Sequence, residues 1–171
     1  FLDIFNKIIK QEGLSLLGWR KVPVDNTTIG HVAREAEPEI WQPFIAQGEN
    51  PIDQEELERR LYKVRKLVGK EIHYAGDAEY FVSFYICSLS TRTFCYKGQL
   101  MSNQLETYFL DLKDPEVESA LALVHSRYST NTFPSWGRAQ PMRLIAHNGE
   151  INTVRGNQNW MRAREAMFDN D

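Results

Sequence analysis

The sequence predicts an α+β fold, and three observations support that prediction. Segments with a helical spacing of apolar residues alternate with short aromatic and β-branched runs that are typical of strands. Several of these runs are separated by tight polar turns, which favours hairpins over the crossover connections of a parallel sheet. No internal repeat, low-complexity tract or linker divides residues 1–171. We therefore expect a single domain, or a part of a larger one, with no internal boundary.

The first part of the chain predicts a helix followed by two strands. The helix starts at the first residues and ends near Gly13, and residues 14–24 predict a strand that Pro23 closes. Residues 39–47 predict a second strand, in which Pro43 indicates an edge or a bulge.

A longer helix is predicted over residues 54–70. Asp53 and Glu56 have the spacing of an N-terminal cap. The predicted apolar face consists of Leu57, Leu61, Val64 and Val68, and the predicted surface ion pairs are Glu55–Arg59 and Glu56–Arg60. These charges are more typical of a solvated helix surface than of a nucleic-acid interface.

The second part of the chain contains further strand-like runs and one helix. Residues 80–90 and 91–100 predict a hairpin, and residues 104–114 fit either a strand or a short helix. The remaining predictions are strands within residues 118–130 and 142–147 and a helix from residue 152 onward.

Composition excludes several classes of function. The formal net charge of −3 leaves no basic patch for nucleic acid, and no apolar run approaches the length of a membrane span. Cys87 and Cys95 are too few for a disulfide framework, and no ligand spacing predicts a metal site. We expect both to be buried, reduced thiols, which points to a cytoplasmic protein.

Two polar segments interrupt this pattern of core and surface residues. In HSRYSTNTFPSW, Arg127 precedes a dense group of hydroxyl and amide side chains. A guanidinium group binds a planar carboxylate through two parallel hydrogen bonds, and these neighbours could complete a pocket. The alternative is a structural loop in which Arg127 pairs with a nearby acidic residue.

The second segment is HNGEINT, which follows an apolar run. Asn148 offers a side-chain N–H and Gly149 a backbone N–H without a Cβ beside it. Two such donors directed at one point form an oxyanion hole for acyl transfer, whereas the alternative is a simple turn. Neither segment supplies a nucleophile, because the sequence has no nucleophile elbow and no paired carboxylates around a cleft pattern.

Residues 127–165, RYSTNTFPSWGRAQPMRLIAHNGEINTVRGNQNWMRARE, closely resemble the glutaminase region of the glutamate synthase family, within the class II glutamine amidotransferases. The segments LGWRKVPVD and SLSTRTFCYKG are also similar to that family, so the resemblance covers most of the chain. It implies the N-terminal nucleophile hydrolase fold, a four-layer αββα sandwich, of which these residues would be a central part, incomplete at both ends.

The resemblance also implies a reaction and roles for individual residues. In that family an N-terminal cysteine attacks the side-chain amide of L-glutamine, and the ammonia passes to a synthase site that acts on 2-oxoglutarate. Arg127 would bind the substrate α-carboxylate with Thr130 and Asn131 nearby, and Asn148 and Gly149 would form the oxyanion hole. The chain begins with Phe1, so we expect these residues alone to be inactive.

Cofactors and partners follow from the same resemblance. FMN and an iron–sulfur cluster are expected in the parent enzyme and none in these residues. The expected partners are the synthase domains of the same polypeptide and a possible reductase subunit, in the cytoplasm or, for a plant-type enzyme, in a plastid. Two alternatives remain open: another class II amidotransferase, or a non-catalytic binding module that keeps the fold.

Overall fold

The computed structural model describes residues 1–74, 84–149 and 153–168. Its helices and strands alternate along the first half of the chain, whereas the second half is mainly irregular. In chain order the elements are α1 (Leu2–Gln11), β1 (Leu14–Lys21), α2 (His31–Glu35), β2 (Trp41–Gln47), α3 (Gln54–Tyr74), a 3₁₀ turn (Ser102–Gln104), α4 (Leu105–Tyr108), a second 3₁₀ turn (Leu110–Lys113) and α5 (Val154–Glu165).

The predicted first helix and first two strands are confirmed. Helix α1 ends at Gln11, and Gly13 follows two residues later. The Gly13 φ of +69° lets the chain reverse into β1 without the strain that a side chain would bring. Strands β1 and β2 form an antiparallel pair whose register shifts between Leu16 and Gly18. Pro43 lies opposite Trp19 in this two-stranded sheet, consistent with the predicted edge position.

Helix α3 forms as predicted. With α1 and β1 it forms the larger of the two hydrophobic clusters. The Asp53 carboxylate accepts a hydrogen bond from the Glu56 backbone N–H at 2.8 Å, which caps the first turn. Glu56 pairs with Arg60 at 2.8 Å and also with Arg59 at 3.0 Å, so the predicted Glu55–Arg59 pair is wrong. The cluster joins α3 to α1 and β1 through Phe5, Ile8, Ile9, Leu14, Leu57, Leu61, Val64, Val68 and Ile72.

The second hydrophobic cluster forms around residues 104–114, which follow the predicted hairpin. Residues 104–114 are mainly helical, in α4 and the 3₁₀ turn Leu110–Lys113, which favours the helical alternative for this stretch. Phe109 between them is extended and forms an isolated antiparallel β-bridge with Val24. Tyr108 and Phe109 are fully buried there. They pack with Val22, Ile29, Ala33 and Trp136.

The hairpin predicted over residues 80–100 is wrong wherever the chain is described; residues 80–83 lie outside the described residues. Residues 84–100 contain no strand, because side chains of α3 bind their polar groups in place of a neighbouring strand. Arg65 donates to the Ile86 carbonyl at 3.2 Å, and Glu58 accepts hydrogen bonds from the Thr91 backbone N–H and the Ser90 hydroxyl, each at 2.8 Å.

The two later strands are also absent from the described ranges. Residues 118–130 are irregular and largely exposed, with no neighbouring strand to pair with. Within 142–147, Met142 and Ile145 exchange backbone hydrogen bonds of 2.8 and 3.1 Å across a tight turn. Arg143 occupies the left-handed region at φ +56°, which breaks an extended conformation.

The helix predicted from residue 152 is confirmed as α5, although residues 150–152 lie outside the described residues. The mixture of helices and antiparallel strands confirms the α+β class. The sheet found in the described ranges has two strands, which is fewer than four layers require. Among the helices described, none is long and apolar enough to cross a bilayer.

Candidate functional site

The structure brings the two polar segments into contact. The Ser129 hydroxyl donates a hydrogen bond of 3.4 Å to the Gly149 carbonyl, which connects positions twenty residues apart in the sequence. Ser129 is itself held in a turn, since its carbonyl accepts the Thr132 backbone N–H at 2.9 Å. The predicted carboxylate-binding segment and the predicted oxyanion segment therefore lie side by side.

Arg127 lies two residues before this contact and is exposed. Its backbone N–H donates to His125 Nδ1 at 3.3 Å. Its guanidinium group forms no ion pair or hydrogen bond with any residue that the structure describes. The alternative in which an acidic neighbour fixes Arg127 is thus not seen in these residues, and the group is available to an external anion. Thr130 and Asn131 are exposed in the same turn.

Asn148 and Gly149 are also exposed, and the Gln140 side chain fixes the backbone just before them. The Gln140 amide donates to the His147 carbonyl and accepts from the His147 N–H, each at 2.7 Å. One side chain therefore satisfies both backbone groups of His147, as a neighbouring strand would. The peptide bond from Gln140 to Pro141 is cis. No direct hydrogen bond joins Arg127 to Asn148 or Gly149 in the part of the chain described.

A buried lysine anchors the loop between the two segments, and sequence reasoning did not assign it a role. Lys97 is only 6% exposed. Its ammonium donates to the carbonyls of Gly137 and Ala139 at 2.9 and 2.8 Å and lies 5.4 Å from the centre of the Tyr85 ring. The ammonium also approaches Met142 Sδ at 3.8 Å. A charged donor fixes the carbonyls that it binds more strongly than a neutral one.

Trp136 attaches the same loop to the second hydrophobic cluster. Its indole N–H donates to the Ala33 carbonyl at 2.8 Å, and its ring is 3% exposed. Gly98 lies flat against this ring, where a Cβ would overlap it. The Tyr128 hydroxyl donates to the Ser135 carbonyl at 2.8 Å, and burial raises the pKa of Tyr128. No sequence spacing indicates this anchor, because Lys97 and Trp136 lie 40 and 103 positions from the Gly137 and Ala33 carbonyls that they bind.

The two cysteines are free, as predicted, but each is partly exposed. Interaction with Cys87, together with the charge of Lys97, lowers the pKa of Cys95 to about 7. The interaction with Cys95, with burial, raises the pKa of Cys87. Among the described residues no group of three or more His, Cys, Asp or Glu side chains could hold a metal ion.

The chain belongs to the class II glutamine amidotransferases, because the model of that family matches residues 1–171. Membership confirms the class that the motifs around Arg127 and Asn148 indicated.

Within this family the chain is similar to glutamate synthases. It is 51% identical over 172 residues to glutamate synthase [NADH] of Schizosaccharomyces pombe, covering 98% of this chain and 8% of that protein. It is 49% identical over 163 residues to the glutamate synthase [NADPH] large chain of Bacillus subtilis, covering 95% of this chain and 10% of that one. It is 48% identical over 164 residues to ferredoxin-dependent glutamate synthase, chloroplastic, of Oryza sativa subsp. japonica, with the same two coverages. The chain thus spans a tenth or less of these relatives' length.

Proposed function

We propose that residues 1–171 contribute the substrate-carboxylate and oxyanion parts of a glutaminase site within a glutamate synthase. Arg127 binds the α-carboxylate of L-glutamine through two parallel hydrogen bonds, and Thr130 and Asn131 complete that pocket. Asn148 and Gly149 donate hydrogen bonds to the oxygen that becomes negatively charged when the amide is attacked. The fold proposed for the complete domain is the four-layer αββα sandwich, of which these residues form a central part.

The observation that carries this proposal is the contact between Ser129 and Gly149 at 3.4 Å. It joins the HNGEINT segment to the turn that follows Arg127. The Arg127 guanidinium has no partner among the described residues, which supports its proposed role. Glutamine has its carboxylate and its side-chain amide at opposite ends, so a glutaminase needs an anion-binding group and an oxyanion hole on neighbouring segments.

The attacking atom is proposed to be the thiol sulfur of an N-terminal cysteine, as the family resemblance implies. Its own α-amine, which titrates near pH 8, takes the thiol proton. Attack on the amide carbon then releases ammonia, and water hydrolyses the resulting thioester to glutamate. Cys87 and Cys95 do not fit this role, because both are internal to the chain and have no free α-amine.

The parent activity that we propose is the transfer of this ammonia to 2-oxoglutarate at a synthase site in the same polypeptide. FMN and an iron–sulfur cluster would serve that site, but these residues do not fit either group. The sequence has two cysteines, fewer than the thiolates that a cluster requires, and no Gly-rich phosphate loop. The relatives are named for NADH, NADPH and ferredoxin at 51, 49 and 48% identity, so the similarity of this domain does not select a reductant or a reductase partner. The cytoplasm, or a plastid for a plant-type enzyme, remains the proposed location.

The test compares Arg127→Ala and Asn148→Ala in the full-length gene product. Asn148→Ala removes one oxyanion donor and is expected to lower the kcat for glutamine hydrolysis by roughly 100-fold, with little change in KM. Arg127→Ala removes the carboxylate ligand and is expected mainly to raise KM for glutamine. The measurement is ammonia release as a function of glutamine concentration.

The matched control is Arg59→Ala, since Arg59 is an exposed arginine whose partner is Glu56 on the surface of α3. It should leave both constants unchanged. Equal effects of the Arg127 and Arg59 substitutions would contradict the proposed pocket. Calorimetric binding of glutamine without any turnover by the unaltered protein would instead support the non-catalytic binding module.

A further inference from the structure

Gln140 lies at the open end of a short hairpin that leads into the predicted oxyanion segment. Met142 and Ile145 exchange both of their backbone hydrogen bonds, at 2.8 and 3.1 Å, across the turn of this hairpin. In an antiparallel pair, the next two residues bonded in this way lie two positions further out on each strand. Those positions are Gln140 and His147. The side-chain carboxamide of Gln140, rather than its backbone, bonds the N–H and the carbonyl of His147, each at 2.7 Å.

The residue before Gln140 is fixed to a buried group. The Ala139 carbonyl accepts a hydrogen bond of 2.8 Å from the ammonium of Lys97, which is 6% exposed. The Ala139 N–H donates to the Ser135 carbonyl at 3.1 Å. Gln140 therefore joins the buried end of this loop to His147, which is the residue that precedes Asn148.

Asn148 and Gly149 lie between two points at which their segment is held. Gln140 bonds the backbone of His147 on one side, and the Ser129 hydroxyl donates to the Gly149 carbonyl at 3.4 Å on the other. Within residues 1–74, 84–149 and 153–168, neither the Asn148 side chain nor the Gly149 N–H forms a hydrogen bond. Two unused donors can serve one external acceptor only while the backbone between them keeps its direction.

We propose that Gln140 is a positioning residue for oxyanion stabilisation, an inference that rests on the proposed function. Its carboxamide restrains the two peptide groups of His147 and so keeps the Asn148 amide and the Gly149 N–H directed at one point. Gln140 acts on the reaction through these donors and makes no contact with the reacting atoms. The negative charge on the amide oxygen develops in the transition state, so a poorly directed pair of donors lowers kcat more than it weakens glutamine binding.

The test uses Gln140→Met in the full-length gene product, because methionine keeps the length of the side chain but has no donor and only a weak acceptor. The kcat for glutamine hydrolysis should fall roughly 10-fold, with KM changed by less than about 2-fold. Hydrogen exchange in peptides that cover residues 144–149 should be faster, and this measurement does not require turnover. Circular dichroism checks folding, and Gln140→Ala, with the same expected results, replaces Gln140→Met if that variant misfolds.

The matched control is Gln47→Met. The Gln47 carboxamide makes the same two contacts with a single residue, donating to the Ile52 carbonyl at 2.9 Å and accepting from the Ile52 N–H at 3.4 Å. Gln47 is the last residue of β2, so its substitution should speed exchange near Ile52 and leave kcat and KM unchanged. Equal losses of kcat in the two glutamine variants would overturn the positioning role, because they would indicate a general loss of stability.

A double variant shows whether Gln140 acts through Asn148. In a protein that already carries Asn148→Ala, Gln140→Met should lower kcat by less than about 3-fold, because one of the two donors that it positions is absent. The same 10-fold loss in both backgrounds would overturn the inference. Unchanged exchange of residues 144–149 in Gln140→Met would overturn it as well.

The same set of variants separates this inference from the proposed function. If Asn148→Ala lowers kcat and Gln140→Met does not, the proposed oxyanion donors remain and only the positioning role of Gln140 is wrong. If Asn148→Ala leaves kcat unchanged, both the oxyanion role of Asn148 and the positioning role of Gln140 are wrong.

Discussion

Lys97 shows how one residue can determine the position of a loop that lies forty positions away. Burying an ammonium group is unfavourable unless its hydrogen bonds are replaced. Here two carbonyls and an aromatic ring replace them, at 2.9, 2.8 and 5.4 Å. The same contacts satisfy the carbonyls of Gly137 and Ala139, so the lysine and the loop depend on each other.

Lys97→Met is predicted to lower the free energy of unfolding by about 2 kcal/mol, because two carbonyls lose a charged donor while the apolar stem is kept. The measurement is urea denaturation of the purified chain. The control is Lys63→Met, since the Lys63 side chain is 64% exposed and its 3.7 Å pair with Glu12 is on the surface. Lys63→Met should alter the free energy of unfolding by no more than about 0.5 kcal/mol. Equal effects at the two positions would show that Lys97 is not an anchor.

Gly98→Ala is predicted to destabilise the chain by about 1–3 kcal/mol, because the added methyl group overlaps the buried Trp136 ring. The expected signature is a lower denaturation midpoint with a change in tryptophan fluorescence. Gly18→Ala in β1 is the matched control, since no atom lies within 4 Å of the position that its Cβ would take. If both variants unfold at the same denaturant concentration, the close packing of Gly98 on Trp136 does not matter.

An element could be predicted where residues within the element determine its structure. It could not be predicted where residues elsewhere in the chain do so. Helix α3 was predictable, because its cap at Asp53 and its apolar spacing both lie within the element itself. The segment 84–100 was not, because its polar groups are satisfied by Glu58 and Arg65 on that helix. An aromatic, β-branched run carries strand propensity, but the partner that satisfies its backbone is a tertiary feature.

The same distinction between local and tertiary determinants applies to the candidate site. Arg127 and Asn148 could be named from residue type and motif, because bidentate anion binding and amide donation are properties of single side chains. The residues that support them could not. Gln140 and Lys97 act through backbone groups seven and more than forty residues away, and neither spacing is a recognisable pattern.

The ion pair between Arg20 and Asp111 joins β1 to the 3₁₀ turn Leu110–Lys113 and makes the stability of that contact depend on pH. Arg20 of β1 donates to Asp111 in the 3₁₀ turn Leu110–Lys113, with one contact of 3.1 Å, and Tyr96 donates to the same carboxylate. The hydrogen bond from Arg20 lowers the pKa of Asp111. The stabilisation is therefore present above the unfolded-state pKa of about 4 and is lost as pH falls through the lower folded-state pKa.

Asp111→Asn is predicted to cost about 1–2 kcal/mol of unfolding free energy at neutral pH, a modest value because the Arg20 side chain is 39% exposed. The difference from the unaltered chain should shrink as the pH falls below about 4. Urea denaturation across that range measures it. Arg20→Met supplies the partner variant, and the double variant should cost little more than either single one. If the difference in unfolding free energy between Asp111→Asn and the unaltered chain is the same at every pH, the Asp111 carboxylate does not stabilise the chain through this ion pair.

At the scale of the whole molecule, the two hydrophobic clusters leave much apolar surface uncovered in the second half of the chain. The side chains of Leu121, Phe133 and Trp160 are 84, 80 and 78% exposed. Exposed apolar groups of this size are typical of surfaces that bind other protein surfaces.

The 171-residue chain is therefore predicted to self-associate as its concentration rises. Multi-angle light scattering should show an average mass above that of one chain, 19.9 kDa. Changing Leu121, Phe133 and Trp160 together to Ser should restore that mass, whereas Leu17→Ser, at a residue 72% exposed in β1, should have less effect. A constant mass of one chain at every concentration would disprove the prediction.

The side-chain hydrogen bonds of Ser129 and Gln140 that hold the candidate site also bear on the affinity of the glutamine binding that we propose. Molecules in which those bonds are broken do not present both segments together, so they do not count as binding-competent. The dissociation constant that an experiment measures is then the intrinsic one divided by the competent fraction. On this proposal, a contact remote from glutamine, such as that of Lys97 with Ala139, influences the glutamine concentration at which the site is half-occupied. We expect sequence changes far from Arg127 and Asn148 to raise or lower that concentration.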